Sequence, residues 1–288
     1  MKIGISTACF YPQPLEDAVE RITALGLRTI EIFFNTESEF QQPFLGQLKE
    51  RLAYHGLSVV SVHPFTSLME GILFFSEYGR RAEDGFAQYR RYFQAARELG
   101  AQYFTLHGER YMPGLSDTPE AFQRKVERYR RLCEVAADEG MIVAQENVAW
   151  CRSREPAYLA KLYEQVPQLR YTLDIKQANR VGQSWKEYFD VMAPRLVNVH
   201  INDFDQTHGC LLPGEGLLDY REVFQHLKAA GYDRQVLIEV YSSNFASDEQ
   251  ISRSVCFLQN QAHAVGYALP EKYEKSARNT SICTKKMV

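Results

Sequence analysis

VLIEVY (236–241) sets one carboxylate, Glu239, among five apolar or aromatic residues. A run this rich in apolar and β-branched side chains reads as a buried strand of a parallel sheet. A charge in such a strand is costly unless a cation or a metal pairs with it. The same construction recurs. IVAQEN (142–147) carries Glu146 near its end, RYTLD (170–174) ends on Asp174, and LVNVH (196–200) ends on His200. Three carboxylates and one imidazole, each at the C-terminal end of its own apolar strand, make a candidate metal site.

Working outward, KIGIST (2–7), TIEIFF (29–34), SVVSVH (58–63) and QYFTLH (102–107) read as the first four strands, with the fifth at 141–146, the sixth at 170–174, the seventh at 196–201 and the eighth at 236–241. Stretches of helical periodicity separate them, at 15–26, 44–56, 79–100, 119–140, 156–166, 184–192 and 219–231, with a last helix at 247–266. Gly26, Gly56 and Gly140 act as C-terminal stops. Thr118, Pro119 and Glu120 read as an N-cap with proline at the first helical position. An aromatic-rich insertion occupies 64–78. Eight strand–helix units without a compositional break predict an α/β fold, a single-domain (β/α)8 TIM barrel over 1–268, followed by a polar tail at 269–288. A doubly wound open sheet would want a glycine-rich phosphate loop after the first strand, and ACFYPQP (8–14) is not one.

Hydrophobic residues make up 45% of the chain and charged residues 24%, with a net charge of −3. No basic field invites nucleic acid. No apolar run reaches the roughly 18 residues that a membrane span needs. MKIGIST enters a strand pattern without a signal-peptide core. The cysteines (Cys9, Cys133, Cys151, Cys210, Cys256, Cys283) are scattered with no CxxC spacing and read as reduced thiols. The expected setting is cytoplasmic, with a small-molecule substrate.

Oxygen ligands with one imidazole suit Mn²⁺, Mg²⁺, Co²⁺ or Zn²⁺, and the absence of thiolate argues against a structural zinc site. We expect one divalent ion, Mn²⁺ in the first instance, acting as a Lewis acid on a carbonyl and holding the cis-enediolate formed when the neighbouring carbon loses its proton. Glu146 and Glu239 come from well-separated strands, so one can remove that proton and the other return it.

Around this set, His63 and His107 end the third and fourth strands and read as substrate contacts, with a second metal or a structural role as alternatives. Lys176 and Gln177 follow Asp174 and should overhang the site. Lys176 reads as a phosphate or carboxylate binder or as a solvated lysine. Glu109, on a loop beside a strand end, reads as a further substrate contact, with weaker claims for Arg110, Asn147 and Asp203. Glu31, in mid-strand, reads either as the partner of a barrel Lys or Arg or as a substrate contact. Trp150, Phe65, Phe74 and Phe75 read as walls of a sugar pocket or as lid packing. Tyr89, Tyr92 and Tyr129 read as helix-to-barrel packing.

EN (146–147), LD (173–174), VHIND (199–203), PGEG (213–216) and IEVY (238–241) together resemble the xylose isomerase-like TIM-barrel superfamily, more narrowly its sugar phosphate isomerase/epimerase group. The resemblance runs from GIST at the start to the last helix. It implies a (β/α)8 barrel with one divalent metal, often Mn²⁺, and a carbohydrate substrate. It assigns Glu146, Asp174, His200 and Glu239 to the metal, and Glu146 and Glu239 to acid–base chemistry. Ketose 3-epimerases, hydroxypyruvate isomerases, inosose dehydratases and dehydroshikimate dehydratases belong to this group, AP endonucleases share its fold, and its members are often dimers or tetramers, so a homo-oligomer is compatible with it.

The chain departs from the pattern in places. Gln177 stands where many relatives have histidine. Arg152 and Gln206 stand where ketose 3-epimerases have glutamate and arginine, which points away from a free ketose. Cys210 stands where AP endonucleases have a metal-binding histidine.

The reading is therefore a metal-dependent isomerase or epimerase of a small sugar, keto-sugar or sugar derivative. The alternative is a lyase that dehydrates a keto-polyol such as an inosose. A hydrolase of the AP-endonuclease kind and a non-catalytic sugar-binding barrel stand behind both.

Overall fold

Alternation along each strand builds the molecule. On the second strand Ile30, Ile32 and Phe34 are wholly buried outside the barrel, while Glu31 between them points to its axis and meets Ser61 and Thr105. On the fourth, Phe104 packs on Tyr89, Tyr92 and Phe93 of a covering helix, while Thr105 faces inward. A period of two thus gives one apolar face for helices and one polar face for the interior. The expected role of Tyr89 and Tyr92 as packing residues is met here.

In the computed structural model, which describes residues 1–112 and 118–268, eight parallel strands close into a barrel in sequence order. They are β1 (Lys2–Ser6), β2 (Thr29–Phe34), β3 (Ser58–Pro64), β4 (Tyr103–Leu106), β5 (Ile142–Glu146), β6 (Arg170–Asp174), β7 (Leu196–Ile201) and β8 (Gln235–Ile238). The helices are α1 (Leu15–Ala24), α2 (Phe44–His55), α3 (Glu70–Leu73), α4 (Gly79–Glu98), α5 (Pro119–Asp138), α6 (Pro156–Gln165), α7 (Ile175–Arg180), α8 (Trp185–Met192), α9 (Tyr220–Ala229) and α10 (Asp248–Ala264). β1 pairs with both β2 and β8, which closes the ring. The (β/α)8 expectation is met. Residues 269–288, the expected polar tail, lie outside the described residues, as do Pro113 and Gly114.

Local signals explain the boundaries. Thr118 Oγ1 accepts from Ala121 N at 3.2 Å, and Pro119 opens α5. Gly56 ends α2 with φ +62°, where a side chain would be strained.

Three features differ from expectation. β8 stops at Ile238, so Glu239 is the first residue beyond the strand, although its N–H still donates to Ile201 O at 3.1 Å. α7 was not expected; it starts at once because Asp174 caps it, Oδ1 accepting from Gln177 N at 2.9 Å. The insertion at 64–78 folds into a 3-10 turn, Phe65–Met69, that runs into α3.

Cys9, Cys133, Cys151 and Cys210 are free and buried, whereas Cys256 is disulfide-bonded, which corrects the reading of reduced thiols at that position. Cys283 lies outside the described residues. Among the described residues no helix is long and apolar enough to cross a membrane.

The loop after β7 is wound on Asp203. Its carboxylate accepts from Phe204 N at 2.9 Å, Gly214 N at 3.0 Å and Leu218 N at 3.0 Å. Gly216 lies so close that a Cβ would come within 2.3 Å of Phe204 O and 2.5 Å of Asp203 Oδ1. Gly216→Ala is therefore expected to destabilise the protein by about 1–3 kcal/mol. A urea midpoint equal to wild type would show that the loop yields without cost.

Candidate metal centre

The barrel brings the four strand-end residues together. Asp174 and His200 are direct partners in the β6–β7 register. Glu146 closes β5, and Glu239 follows β8. One ligand atom from each lies within 4.8 Å of all the others. His200 Nδ1 is 3.1 Å from Glu146 Oε1 and 3.0 Å from Glu239 Oε2. Its other nitrogen, Nε2, is 3.2 Å from Glu31 Oε2.

Glu31 was expected either to pair with a barrel Lys or Arg or to contact substrate. Its partner is this histidine instead, backed by hydroxyl donations from Ser61 at 2.7 Å and Thr105 at 3.1 Å. With a proton on Nε2 shared with Glu31, loss of the proton from Nδ1 would leave that nitrogen as the ligand atom facing the carboxylates.

The donor set fits a divalent ion. Asp174 Oδ2 is buried and has no hydrogen-bond partner, while Oδ1 is used to cap α7. An orphaned carboxylate oxygen in a dry site is unfavourable unless a cation serves it. Lys176 Nζ stands 3.5 Å from it and 3.3 Å from Glu239 Oε2.

Charge balance shapes the protonation of the group. Burial alone would raise Glu146, but hydrogen bonds with His107, His200 and His63 hold it well below the usual carboxylate range. Burial works against the Glu239 carboxylate too, and the charges of Lys176 and His200 outweigh it. For Asp174 burial wins over Lys176 and its carboxyl is pushed well up. His200 would be lowered by burial, yet Glu31 and Glu239 carry it well above the ordinary imidazole range.

A second group shares Glu146. His107 Nε2 is 3.0 Å from Glu146 Oε2, and His63 Nε2 is 3.9 Å from it. The two Nε2 atoms are 2.8 Å apart, and His63, His107 and Glu146 also satisfy the spacing of a metal-binding triad. Phe33 stacks on His63 at 4.8 Å and Trp150 meets His107 edge-on at 5.6 Å.

Above this floor lies a cavity of about 390 Å³ whose lining includes His63, His107, Glu146, Lys176, Gln177 and Glu239. Phe65 and Trp150 wall it, as the sequence suggested, whereas Phe74 packs on Tyr89 and Phe75 on Tyr129. Glu109 is not brought here. It lines a separate cavity of about 500 Å³, where Lys125 donates to it at 2.5 Å. The reason is geometric: Glu109 lies two residues past the inward-facing His107, and by then the chain has left the barrel axis.

A family model described as xylose isomerase-like TIM barrel matches residues 19–261, most of the chain. The chain belongs to the xylose isomerase-like TIM-barrel family. Within it, an uncharacterized protein of Methanocaldococcus jannaschii is 25% identical over 251 residues, 83% of each chain. Fructoselysine 3-epimerase of Escherichia coli O157:H7 is 24% identical over 254 residues, 83% of this chain and 90% of that one. Among solved structures, a D-tagatose 3-epimerase-like protein superposes with TM-score 0.76 at 21% identity, covering 92% of this chain and 98% of the other. A 3-keto-D-glucoside 4-epimerase from E. coli gives 0.73 at 20%, covering 90% and 99%. At these identities the structures establish the shared fold.

In this member of the xylose isomerase-like family two further residues support the site and escaped the sequence reading. Glu31 was read as a partner of Lys or Arg or as a substrate contact, and its pairing with His200 was not foreseen. Glu70 of α3 was missed, lying in a stretch with no strand or helix periodicity. It is wholly buried and accepts from Tyr89 Oη at 2.7 Å, His107 N at 2.8 Å and Gly108 N at 2.6 Å. It thereby ties the insertion to the end of β4.

Replacing Glu31 by Gln removes the charge that orients His200, and should weaken Mn²⁺ binding by about 10–100-fold with the fold intact. Titration calorimetry and circular dichroism read the two parts; unchanged affinity would detach Glu31 from the centre. Burial pushes the Glu70 carboxyl from 4.5 up to about 8, against the opposing hydrogen bonds from Gly108 and Tyr89. Between those values the folded chain holds a proton that the unfolded chain has lost, so this contribution to stability falls as pH rises. Glu70→Gln should flatten that component, on the order of a few kcal/mol between pH 5 and 8. The same pH slope in both proteins by urea unfolding would remove Glu70 as its source.

Proposed function

We propose that the chain is a divalent-metal-dependent epimerase or isomerase of a small sugar, keto-sugar or sugar derivative. The observation that carries this reading is the placement of Glu146 and Glu239 against the same atom, His200 Nδ1, at 3.1 and 3.0 Å, with both residues lining one cavity. Glu146, Asp174, His200 and Glu239 would hold the ion. When bound, it supplies Lewis acidity to a substrate carbonyl. The named epimerases among the relatives agree with this chemistry.

The chain's own residues divide the work. One of the two glutamates, as carboxylate, takes the proton from the carbon beside the carbonyl, and the other, once it has taken up a proton from water in the cavity, delivers that proton to carbon, which inverts the centre or moves the carbonyl. Asp174 has no such freedom, because one oxygen is committed to α7. Lys176 is held between Asp174 and Glu239 and beside the Tyr241 ring, at 5.2 Å, where an ammonium can neutralise negative charge developing on a substrate oxygen. His63, His107 and Gln177 line the cavity within reach of sugar hydroxyls.

A lyase shares the first step. In its favour stands the His63–His107 pair beside Glu146, which offers a proton for a departing hydroxyl. Product analysis separates the two outcomes.

The first test is metal content. One Mn²⁺, Mg²⁺ or Co²⁺ per chain is expected; two or three Zn²⁺ per chain would bring His63 and His107 into the ligand set and favour a hydrolase. With metal bound, deuterium from solvent should enter at the carbon beside the carbonyl, across a panel of keto-sugars. Glu239→Gln should lower that exchange by about 10²–10⁴-fold. Wild-type exchange in this variant would exclude Glu239 from the proton-transfer pair.

A further inference from the structure

The lining of the cavity above the carboxylates falls into two groups of different chemistry. In the first, aromatic rings are tied to the polar floor: Phe33 to His63, Trp150 to His107 and Tyr241 to Lys176. Such rings give faces on which a sugar ring can stack. Asn35 and Ser67 add polarity to the lining, and Asn35 Oδ1 is buried without a hydrogen-bond partner.

Tyr11, Phe65 and Leu68 line the same cavity but share none of these floor contacts. Tyr11 stands on the loop after β1; Phe65 and Leu68 stand on the insertion after β3. Their exposures are 62%, 37% and 63%, high for large apolar side chains. Apolar exposure gathered at a cavity mouth marks a binding surface rather than chance. A free ketose lying against these three residues would press hydroxyls against side chains that offer few hydrogen bonds in exchange for lost water, which is unfavourable. The cavity volume of about 390 Å³ falls in the range of roughly 300–1,000 Å³ typical of sites for drug-sized ligands.

We propose that Tyr11, Phe65 and Leu68 form a subsite for an apolar substituent, so that the substrate is a sugar conjugate bearing an aryl or alkyl group, not a free monosaccharide. This rests on the epimerase or isomerase reading for the sugar end and adds the chemistry of the other end. The sugar carbonyl sits over the carboxylate floor, and the substituent leaves its ring toward the loops after β1 and β3. Continuity of the patch with the carboxylate-lined cavity favours a small conjugate over a protein surface as its occupant.

The test is a matched pair of ligands, methyl and phenyl 3-keto-β-D-glucopyranoside, titrated calorimetrically into Mn²⁺-loaded wild type and the Tyr11→Ser/Leu68→Ser double variant. Both substituted residues are mostly exposed, so the variant should fold, and circular dichroism checks it. The phenyl compound should bind wild type at least about tenfold more tightly, equivalent to about 1.4 kcal/mol. The double variant should lose most of that preference. Equal affinities in wild type, binding of neither compound, or a preference unchanged in the variant would each overturn the subsite, as would a patch that seats a second copy of the chain. Deuterium exchange in the keto-sugar panel is scored separately. A phenyl preference without exchange in any sugar would keep the subsite and remove the isomerase reading; exchange with equal affinities would do the reverse.

Discussion

Four carboxylates, Glu31, Glu146, Asp174 and Glu239, converge on one imidazole inside a barrel. Like charges repel strongly where water is excluded, and burying them uncompensated is among the costliest things a fold can do. His200 answers three of them at once, touching Glu31 with one nitrogen and Glu146 and Glu239 with the other. Lys176 answers Asp174 and Glu239 from above. The cluster is rich in negative charge and poor in donors, which is the condition under which a divalent ion binds well.

The arrangement is possible because the strand period separates two tasks. Outward side chains such as Phe34 and Phe104 meet aromatic residues of α4 and hold the shell together. Inward side chains are thereby free to be polar, and Ser61, Thr105 and Glu31 form a hydrogen-bonded belt beneath the ligand cluster. That belt fixes the ring of His200 from below. Glu70 does the corresponding work at the side, binding two successive backbone N–H groups at the end of β4.

Much of this was legible in the sequence, for an identifiable reason. Glu146, Asp174, His200 and Glu239 were conspicuous because each interrupts or ends an apolar run, and a charge in such a run is costly wherever the fold places it. The eight strands were legible from the same runs, and β2, β6 and β7 occupy the expected residues. What escaped depended on contacts between distant segments. Glu31 looked like any mid-strand acid until β7 brought His200 against it, 169 residues away. Glu70 carried no periodic signal, and its partners lie just past β4 and on α4. Glu109 misled because adjacency to a strand end says nothing about which way a chain turns once it leaves the sheet. α7 was hidden by its length and by a cap that belonged, on sequence, to the metal site.

That cap has a consequence for how the site can change over time. Asp174 gives one oxygen to the first turn of α7 and leaves the other to the centre of the barrel. The helix it starts carries Lys176 and Gln177, two residues of the cavity lining. Inheritance of the carboxylate floor and inheritance of the cavity wall are therefore bound together at a single position. Asparagine or serine there could still begin the helix but would give up the anionic oxygen; most other side chains would give up both. Diversification of substrate among descendants of this chain is thus channelled away from β6 and toward the loops after β1 and β3, where side chains can be exchanged without disturbing the charge at the centre.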